Sequence, residues 1–138
     1  MEQKISELLQ NADTIAVVGM SDSPMRDSNR IGELLIDVGY RVYPVNPTIN
    51  SVHGLHSWPD VKSVSVQIDI VDVFRNSIYA KEVVFDAIEA GAKAIWFQYG
   101  AEEPEAERLA RDAGLEVISG YCIAVEIRRR GINRQPVD

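Results

Sequence analysis

The 138-residue chain is short of cysteine, histidine and positive charge, and each shortage disfavours a class of function. Its single cysteine, Cys122, cannot form an internal disulfide, and no cysteine cluster suggests zinc. A net charge of −7 disfavours a general binder of duplex nucleic acid, because most of the surface would repel phosphates. No stretch is apolar enough to span a membrane, and the N-terminus lacks the features of a signal peptide. We therefore expect a cytoplasmic protein that binds neither nucleic acid nor membrane.

The composition that remains is that of an ordinary globular protein. Hydrophobic residues make up 46% of the chain and charged residues 25%. A chain of this length can bury one proper core without disulfides or metals. We expect a single domain over 1–138, with its core over about 14–130, an N-terminal helix over 2–12 and a loose tail over 131–138. Self-association or a partner protein stays open.

Patterns typical of strands and helices alternate along the chain. Compact runs rich in β-branched residues predict five strands, over 14–19, 41–45, 68–74, 94–97 and 115–118. Helical patterns lie between them, the first capped by Ser28 and ended by Gly39. The stretch 48–67 is the least regular, with one short helix around 60–64. The alternation predicts a three-layer α/β fold with a five-stranded parallel sheet. We expect the strand order 3-2-1-4-5, with the ligand crevice between the first and fourth strands.

The first predicted strand runs into a glycine-serine turn that can hold an anionic ligand. Gly19 allows a close approach of the backbone to phosphate, and Ser21, Ser28 and the first helical amides are hydrogen-bond donors. A tight turn without a ligand is the alternative for Gly19. The second strand ends in Asn46 and not in the acidic residue of a usual NAD site. These features indicate a nucleotide-derived ligand other than NAD.

Arginines and apolar residues near the predicted strand ends suit the same ligand. The arginines in question are Arg26, Arg30 and Arg75. Any of them can hold an additional phosphate by a bidentate contact. For Arg30 the alternative is an ion pair with Glu33 on its own helix. Pro47 and Phe74 offer apolar walls for a base. A local basic pocket on an acidic protein suits a small polyanion better than a polymer.

The sequence offers no recognisable catalytic set and no metal site. His53 and His56 lie in an irregular loop without a third ligand, so they are better interpreted as surface histidines. The odd spacing of Asp69 and Asp72 sends them to opposite faces of a strand, which argues against a pair of catalytic carboxylates. Cys122 lies near the start of the last helix, where a thiol can be reactive, although a small buried hydrophobe is the alternative. We expect a binding protein more readily than an enzyme.

Four stretches carry a resemblance to a known family: VVGMSDSPMRDSNRIGELLIDVGYRVYPVNP, DIVDVFRN, AKAIWFQYG and AGLEVISGYCIAVEIRRR. They resemble the small, stand-alone CoA-binding domain proteins of bacteria and archaea. These are similar to the CoA-binding domain of the succinyl-CoA synthetase α subunit. The resemblance runs in order over about 14–130. Its most specific feature is the pairing of a PVNP strand end with a VDVFR strand end.

The resemblance implies a Rossmann-like fold that binds coenzyme A (CoA) through its nucleotide part. Carried over by position, it implies that the pyrophosphate lies against Gly19, Met20 and Ser21, and that the first loop is closed by Arg26, Ser28 and Asn29. It implies that the adenosine is bordered on one side by Val45, Asn46 and Pro47 and on the other by Val73, Phe74 and Arg75. The residues that face the crevice at the fourth strand are then Gln98 and Gly100. The family commonly has an arginine before the cysteine of the last helix, where this chain has Tyr121.

Three hypotheses of function follow. The leading one is a non-catalytic protein that binds CoA or acyl-CoA, as a carrier, a sensor or a partner subunit. The alternative is a Rossmann-type oxidoreductase that uses NADP(H), since arginines can also accept a 2′-phosphate. A third hypothesis makes Cys122 a contact for the CoA thiol, able to form a mixed disulfide by exchange with oxidised CoA.

Overall fold

The structure, a computed structural model that describes residues 1–135, is built from alternating helices and strands. The helices are α1 (Glu2–Asn11), α2 (Asp27–Val38), α3 (Ala80–Glu89), α4 (Pro104–Asp112) and α5 (Ile123–Arg130). The strands are β1 (Thr14–Val18), β2 (Arg41–Val45), β3 (Ser51–Val52), β4 (Leu55–His56), β5 (Ile70–Val73), β6 (Ala94–Phe97) and β7 (Glu116–Ser119). No helix of residues 1–135 is long and apolar enough to cross a membrane.

The long strands form one parallel sheet with helices on both faces, which confirms the predicted α/β, Rossmann-like fold. The strand order is β2-β1-β5-β6-β7. One core cluster joins α1, α2 and α5 to one face, around Trp96. The other joins α3 and α4 to the opposite face, around Phe97. The central strands are therefore buried on both sides, as their continuous apolar runs predict.

The predicted strand order 3-2-1-4-5 is wrong, because the third long strand, β5, pairs with β1 and not with β2. The connection from β2 to β5 packs Val61 and Val64 on the face of α3, opposite α2. Crossovers are right-handed, so a connection on the opposite face runs in the opposite direction across the sheet. It therefore passes β1, and the switch point lies between β1 and β5. Trp58 occupies the outer side of β2 instead.

Three further expectations are changed by the structure. Ser28 does not cap α2, since it lies inside the first turn and Arg26 is the N-cap residue. The stretch 48–67 holds a small antiparallel hairpin of β3 and β4 that was not predicted, whereas the 3-10 helix at Val61–Ser63 lies where a short helix was expected around 60–64. In the tail, the amide of Arg134 donates to the Val38 carbonyl, so residues up to 135 contact α2. Residues 136–138 lie outside the described residues, and for them a loose tail stays a prediction.

Candidate functional site

Gly19 follows β1 at the switch point and turns the chain toward α2. Its φ of +87° lies in the left-handed region that favours glycine. Its amide donates to the carbonyl of Val45 at 2.8 Å. A Cβ at this position would lie 3.1 Å from Cγ of Arg75, so a side chain would press on the neighbouring strand end. The backbone conformation therefore favours glycine here, and a side chain could be accommodated only if Arg75 shifted slightly.

The loop after Gly19 is held by hydrogen bonds of its own side chains. The Ser21 amide donates to Oγ of Ser28 at 3.0 Å, and Nδ2 of Asn29 donates to the Ser21 carbonyl at 2.9 Å. Ser28 and Asn29 are both buried. The Ser23 amide also donates to Oγ of Ser21. These side chains shape the loop from inside, whereas Met25, Arg26 and Asp27 are exposed and line the larger cavity described below.

Asn46 connects this loop to the end of β2. Its Nδ2 donates to the carbonyl of Met20 at 3.0 Å, and its Oδ1 accepts from the amide and the hydroxyl of Thr48. The side chain therefore spans two adjacent strand ends. An acidic residue could not donate to the Met20 carbonyl, which gives a structural reason for an amide at this position.

A cavity of about 570 Å³ opens on the α2 side of Gly19. Among its lining residues are Ser21, Arg26, Ser28 and Phe74. The first amides of a helix have no intrahelical partner, and the N-terminus of α2 points them into this region. Arg26 adds an exposed guanidinium. Amides and a cation at one helix N-terminus suit an anion such as a pyrophosphate.

A second cavity, of about 140 Å³, lies on the α3 side of Gly19. Its walls include Val45, Pro47 and Arg75. Gly19 and Asn46 line both cavities, so the two meet at the end of β1. One ligand can therefore extend across the carboxyl edge of the sheet, from one helical layer to the other.

The smaller cavity is lined by three carboxylates that sequence reasoning missed: Asp60, Glu82 and Asp86. Burial raises the pKa of Asp86, the nearby Lys62 opposes the shift, and the other acids of this region add to it. The missed residues come from the turn before Val61 and from α3, two elements whose contact no local pattern predicts. The only feature of the sequence that could have indicated these carboxylates was the presence of acidic residues on the exposed side of a predicted helix.

Arg75 and Arg30 have different surroundings, and Arg30 does not form the ion pair with Glu33 that was the alternative interpretation of its role. The guanidinium of Arg75 stacks over the ring of Tyr79 at 3.9 Å from the centroid. Arg30 donates to the Pro24 carbonyl and pairs with Asp27, not with Glu33. Arg30 is therefore occupied within its own loop, whereas Arg75 lies at the smaller cavity.

Several predicted contacts lie with their side chains away from the cavities. Met20 is fully buried, and a Cβ on Gly32 would lie 2.2 Å from its Cε, so its thioether fills the space beside that glycine. Val73 is buried in the core. Gln98 is buried too, and its Oε1 accepts from the amide of Ile123 at the start of α5. For Met20 the prediction can hold only for the backbone. Gly100 follows β6 in an exposed turn.

Cys122 is the N-cap residue of α5 and is partly exposed. Its contact with a CoA thiol stays a prediction. His53 packs toward α2, with its Nε2 3.2 Å from the Asn29 carbonyl oxygen and its Nδ1 3.6 Å from a carboxylate oxygen of Glu33. His56 stacks edge-on against Trp58. Among residues 1–135 no group of three or more histidines, cysteines and acids is placed to hold a metal ion.

Comparison with known proteins assigns the chain to a family. A family model described as "CoA binding domain" matches residues 13–128. The chain belongs to this family. The chain is 38% identical over 122 residues to "Uncharacterized protein YneT" of Bacillus subtilis, covering 88% of this chain and 90% of that protein.

Two further relatives show the range of the family. A hypothetical protein from Pyrococcus horikoshii has the same fold, with a TM-score of 0.92 and 38% identity over 94% of this chain and 91% of that one. The α subunit of an ADP-forming acetate–CoA ligase II from Pyrococcus furiosus is 23% identical over 130 residues. That match covers 86% of this chain and 28% of the ligase subunit. The same domain thus occurs in small proteins and within larger ones.

Proposed function

We propose that this chain binds CoA or an acyl-CoA through its nucleotide moiety and acts as a non-catalytic carrier, sensor or partner subunit. The observation that carries the proposal is the meeting of two cavities at Gly19 and Asn46. They lie at the switch point of the sheet, where ligands of such folds bind. Membership of the CoA binding domain family supports CoA as the ligand.

The two cavities suit different parts of CoA. The larger one combines the N-terminus of α2 with Arg26 and has the chemistry for the pyrophosphate. The smaller one has the apolar walls of Val45 and Pro47 and three carboxylates, which suit a base and hydroxyl or amino donors. Arg75 is the cation of the smaller cavity, and we assign it to the 3′-phosphate.

Calorimetric titration with CoA, dephospho-CoA, NADH, NADPH and ATP tests the proposal. We expect saturable binding of CoA, weaker binding of dephospho-CoA, and a loss of about tenfold in CoA affinity for Arg26→Ala and Arg75→Ala. Arg108→Ala is the matched control, because Arg108 pairs with Glu105 and Asp112 on an exposed face of α4. It should bind CoA like the wild type.

Two outcomes would contradict the proposal. The absence of CoA and acyl-CoA binding up to millimolar concentration would show that neither molecule is the ligand. Tighter binding of NADPH than of CoA would support the oxidoreductase alternative. Selective CoA binding would direct attention to the acyl group.

A further inference from the structure

Asp72 is a buried acid without a partner. The residue is fully buried in the middle of β5. Neither of its carboxyl oxygens has a hydrogen-bond partner among residues 1–135, and they are the only buried side-chain oxygen or nitrogen atoms there of which this is true. Burial raises the pKa of Asp72 well above its usual range, so the neutral carboxyl is favoured. An unsatisfied buried carboxyl destabilises the folded chain, and the contacts of the free protein do not offset this.

The position of Asp72 links it to the larger cavity. Alternate residues of a strand share a face, so Ile70, Asp72 and Phe74 follow one another on the same side. Phe74 lines the larger cavity and is only partly buried. The neighbours of Asp72 in the sheet are Val17 on β1 and Trp96 on β6. Asp72 therefore lies two residues before Phe74, a residue of the cavity wall, on the same face of the sheet and beside the switch point between β1 and β5.

Two aromatic residues at the carboxyl end of this face are only partly buried. Phe74 and Tyr121 both pack against the core cluster that contains Trp96. The indole Nε1 of Trp96 donates to the Tyr121 carbonyl at 2.9 Å, which holds the residue before Cys122 over β6. Phe74 directly follows β5 and belongs to no strand or helix.

We propose that Asp72 is an interior subsite of the ligand site, and that its carboxyl hydrogen-bonds an amide or the thiol of the pantetheine arm of CoA once the ligand displaces Phe74. The inference rests on the proposed function. A neutral carboxyl can donate one hydrogen bond and accept others, as an amide group requires. A phosphate is a poorer occupant, because its charge belongs with the amides and the guanidinium at the start of α2. The uncharged, polar arm is the part of CoA that fits.

Calorimetry with two ligands and two variants tests this subsite. The ligands are CoA and adenosine 3′,5′-bisphosphate, which has no pantetheine arm. Asp72→Leu, of similar size but without polar atoms, should bind CoA about tenfold more weakly, equal to about 1.4 kcal/mol, with unchanged affinity for the bisphosphate. Asp72→Asn keeps a donor and an acceptor and should bind both ligands like the wild type. Equal CoA affinity of the Leu variant and the wild type would overturn the subsite.

A measurement on the wild-type chain covers the case in which the variants do not fold. The ¹³Cγ resonance of Asp72 should shift on addition of CoA and stay unchanged with the bisphosphate. An unchanged resonance at saturating CoA would refute the contact while leaving the nucleotide site intact. If the wild type binds neither ligand, the proposed function fails as a whole, so the two failures are distinguishable.

Discussion

Asp69 and Asp72 are three residues apart, one just before β5 and one within it, and their surroundings are opposite. Burial alone would raise the pKa of Asp69, but the amides of Asp13 and Thr14 and the ammonium of Lys93 lower it overall. Asp72 has none of these partners, and burial raises its pKa. One acid is stabilised by its neighbours, and the other is a cost to the fold.

The same contrast separates the two edges of the sheet. A cavity of about 290 Å³ lies at the amino edge, and both lysines that line it are paired, Lys4 with Glu116 at 3.5 Å and Lys93 with Asp69 at 3.3 Å. Arg41 pairs with Asp13 at the same edge. At the carboxyl edge, Arg26 makes no ion pair within residues 1–135 and lies at a helix N-terminus. A cavity alone therefore does not favour one edge over the other, whereas the unpaired guanidinium of Arg26 favours the carboxyl edge for an anionic ligand.

The largest effect is expected from Asp72→Asn. Because the folded chain holds the Asp72 proton more tightly than the unfolded chain, the free energy of unfolding of the wild type falls as pH rises. The fall begins near the unfolded pKa of about 4 and continues up to the raised pKa of the folded chain, by up to about 1.4 kcal/mol per pH unit. Asparagine does not ionise, so the free energy of unfolding of the variant, relative to that of the wild type, should increase with pH. Urea unfolding from pH 5 to pH 8 measures it, and an advantage independent of pH would contradict the assignment.

Gly19→Ala and Gly91→Ala compare the two edges directly. Both glycines have positive φ, so each alanine should lower the free energy of unfolding by about 1 kcal/mol. A Cβ at Gly91 meets nothing within 4 Å, whereas one at Gly19 crowds Arg75 between the two cavities. We expect a tenfold or greater loss of CoA affinity for Gly19→Ala and none for Gly91→Ala. Equal CoA affinities of the two variants in calorimetry would remove Gly19 from the site.

The smallest effect is expected from Asp69→Asn, at the amino edge. The pKa of Asp69 is lowered in the folded chain, so its stabilisation is present above the unfolded pKa and is lost as pH falls through the folded value. The variant should be about 1 kcal/mol less stable at pH 7, from weaker bonds to two amides and the loss of the Lys93 pair. The difference should shrink in urea unfolding as pH falls below the unfolded pKa of about 4. CoA affinity should not change, and a loss of affinity would mean that the two edges are coupled.

Local patterns were sufficient for most of the fold. The strand over Ala94–Phe97 and the helix that begins at Pro104 lie where periodicity and proline position predicted them. The order of the strands was not predictable in this way, because it depends on which face the connection 46–69 covers. That stretch is short of regular periodicity, and Val61 and Val64 reveal their face only by packing beside α3.

For the candidate site, the sequence predicted which loops lie together but not the position of the switch point. The crevice was expected between the first and fourth strands, but β1 is followed in the sheet by the third long strand, β5. The loops after β1 and β2 were expected to meet, and Gly19 and Asn46 do lie together at both cavities. The roles of Met20 and Gln98 could not be predicted, since the side chain of one fills the space at Gly32 and that of the other caps α5. Sequence spacing does not tell whether a polar side chain at a strand end points to a ligand or to a helix.

The sequence by itself determined the alternation of strands and helices, the glycine turn at Gly19 and the family, because these depend on neighbours along the chain. Only the tertiary structure decided the switch point, the acidic wall of the smaller cavity and the isolation of Asp72. Each of these depends on segments far apart in sequence, such as Asp60 and Asp86 at one cavity. The burial of Asp72 is likewise a property of the packed sheet and its helices, since on an isolated strand its carboxyl would be hydrated.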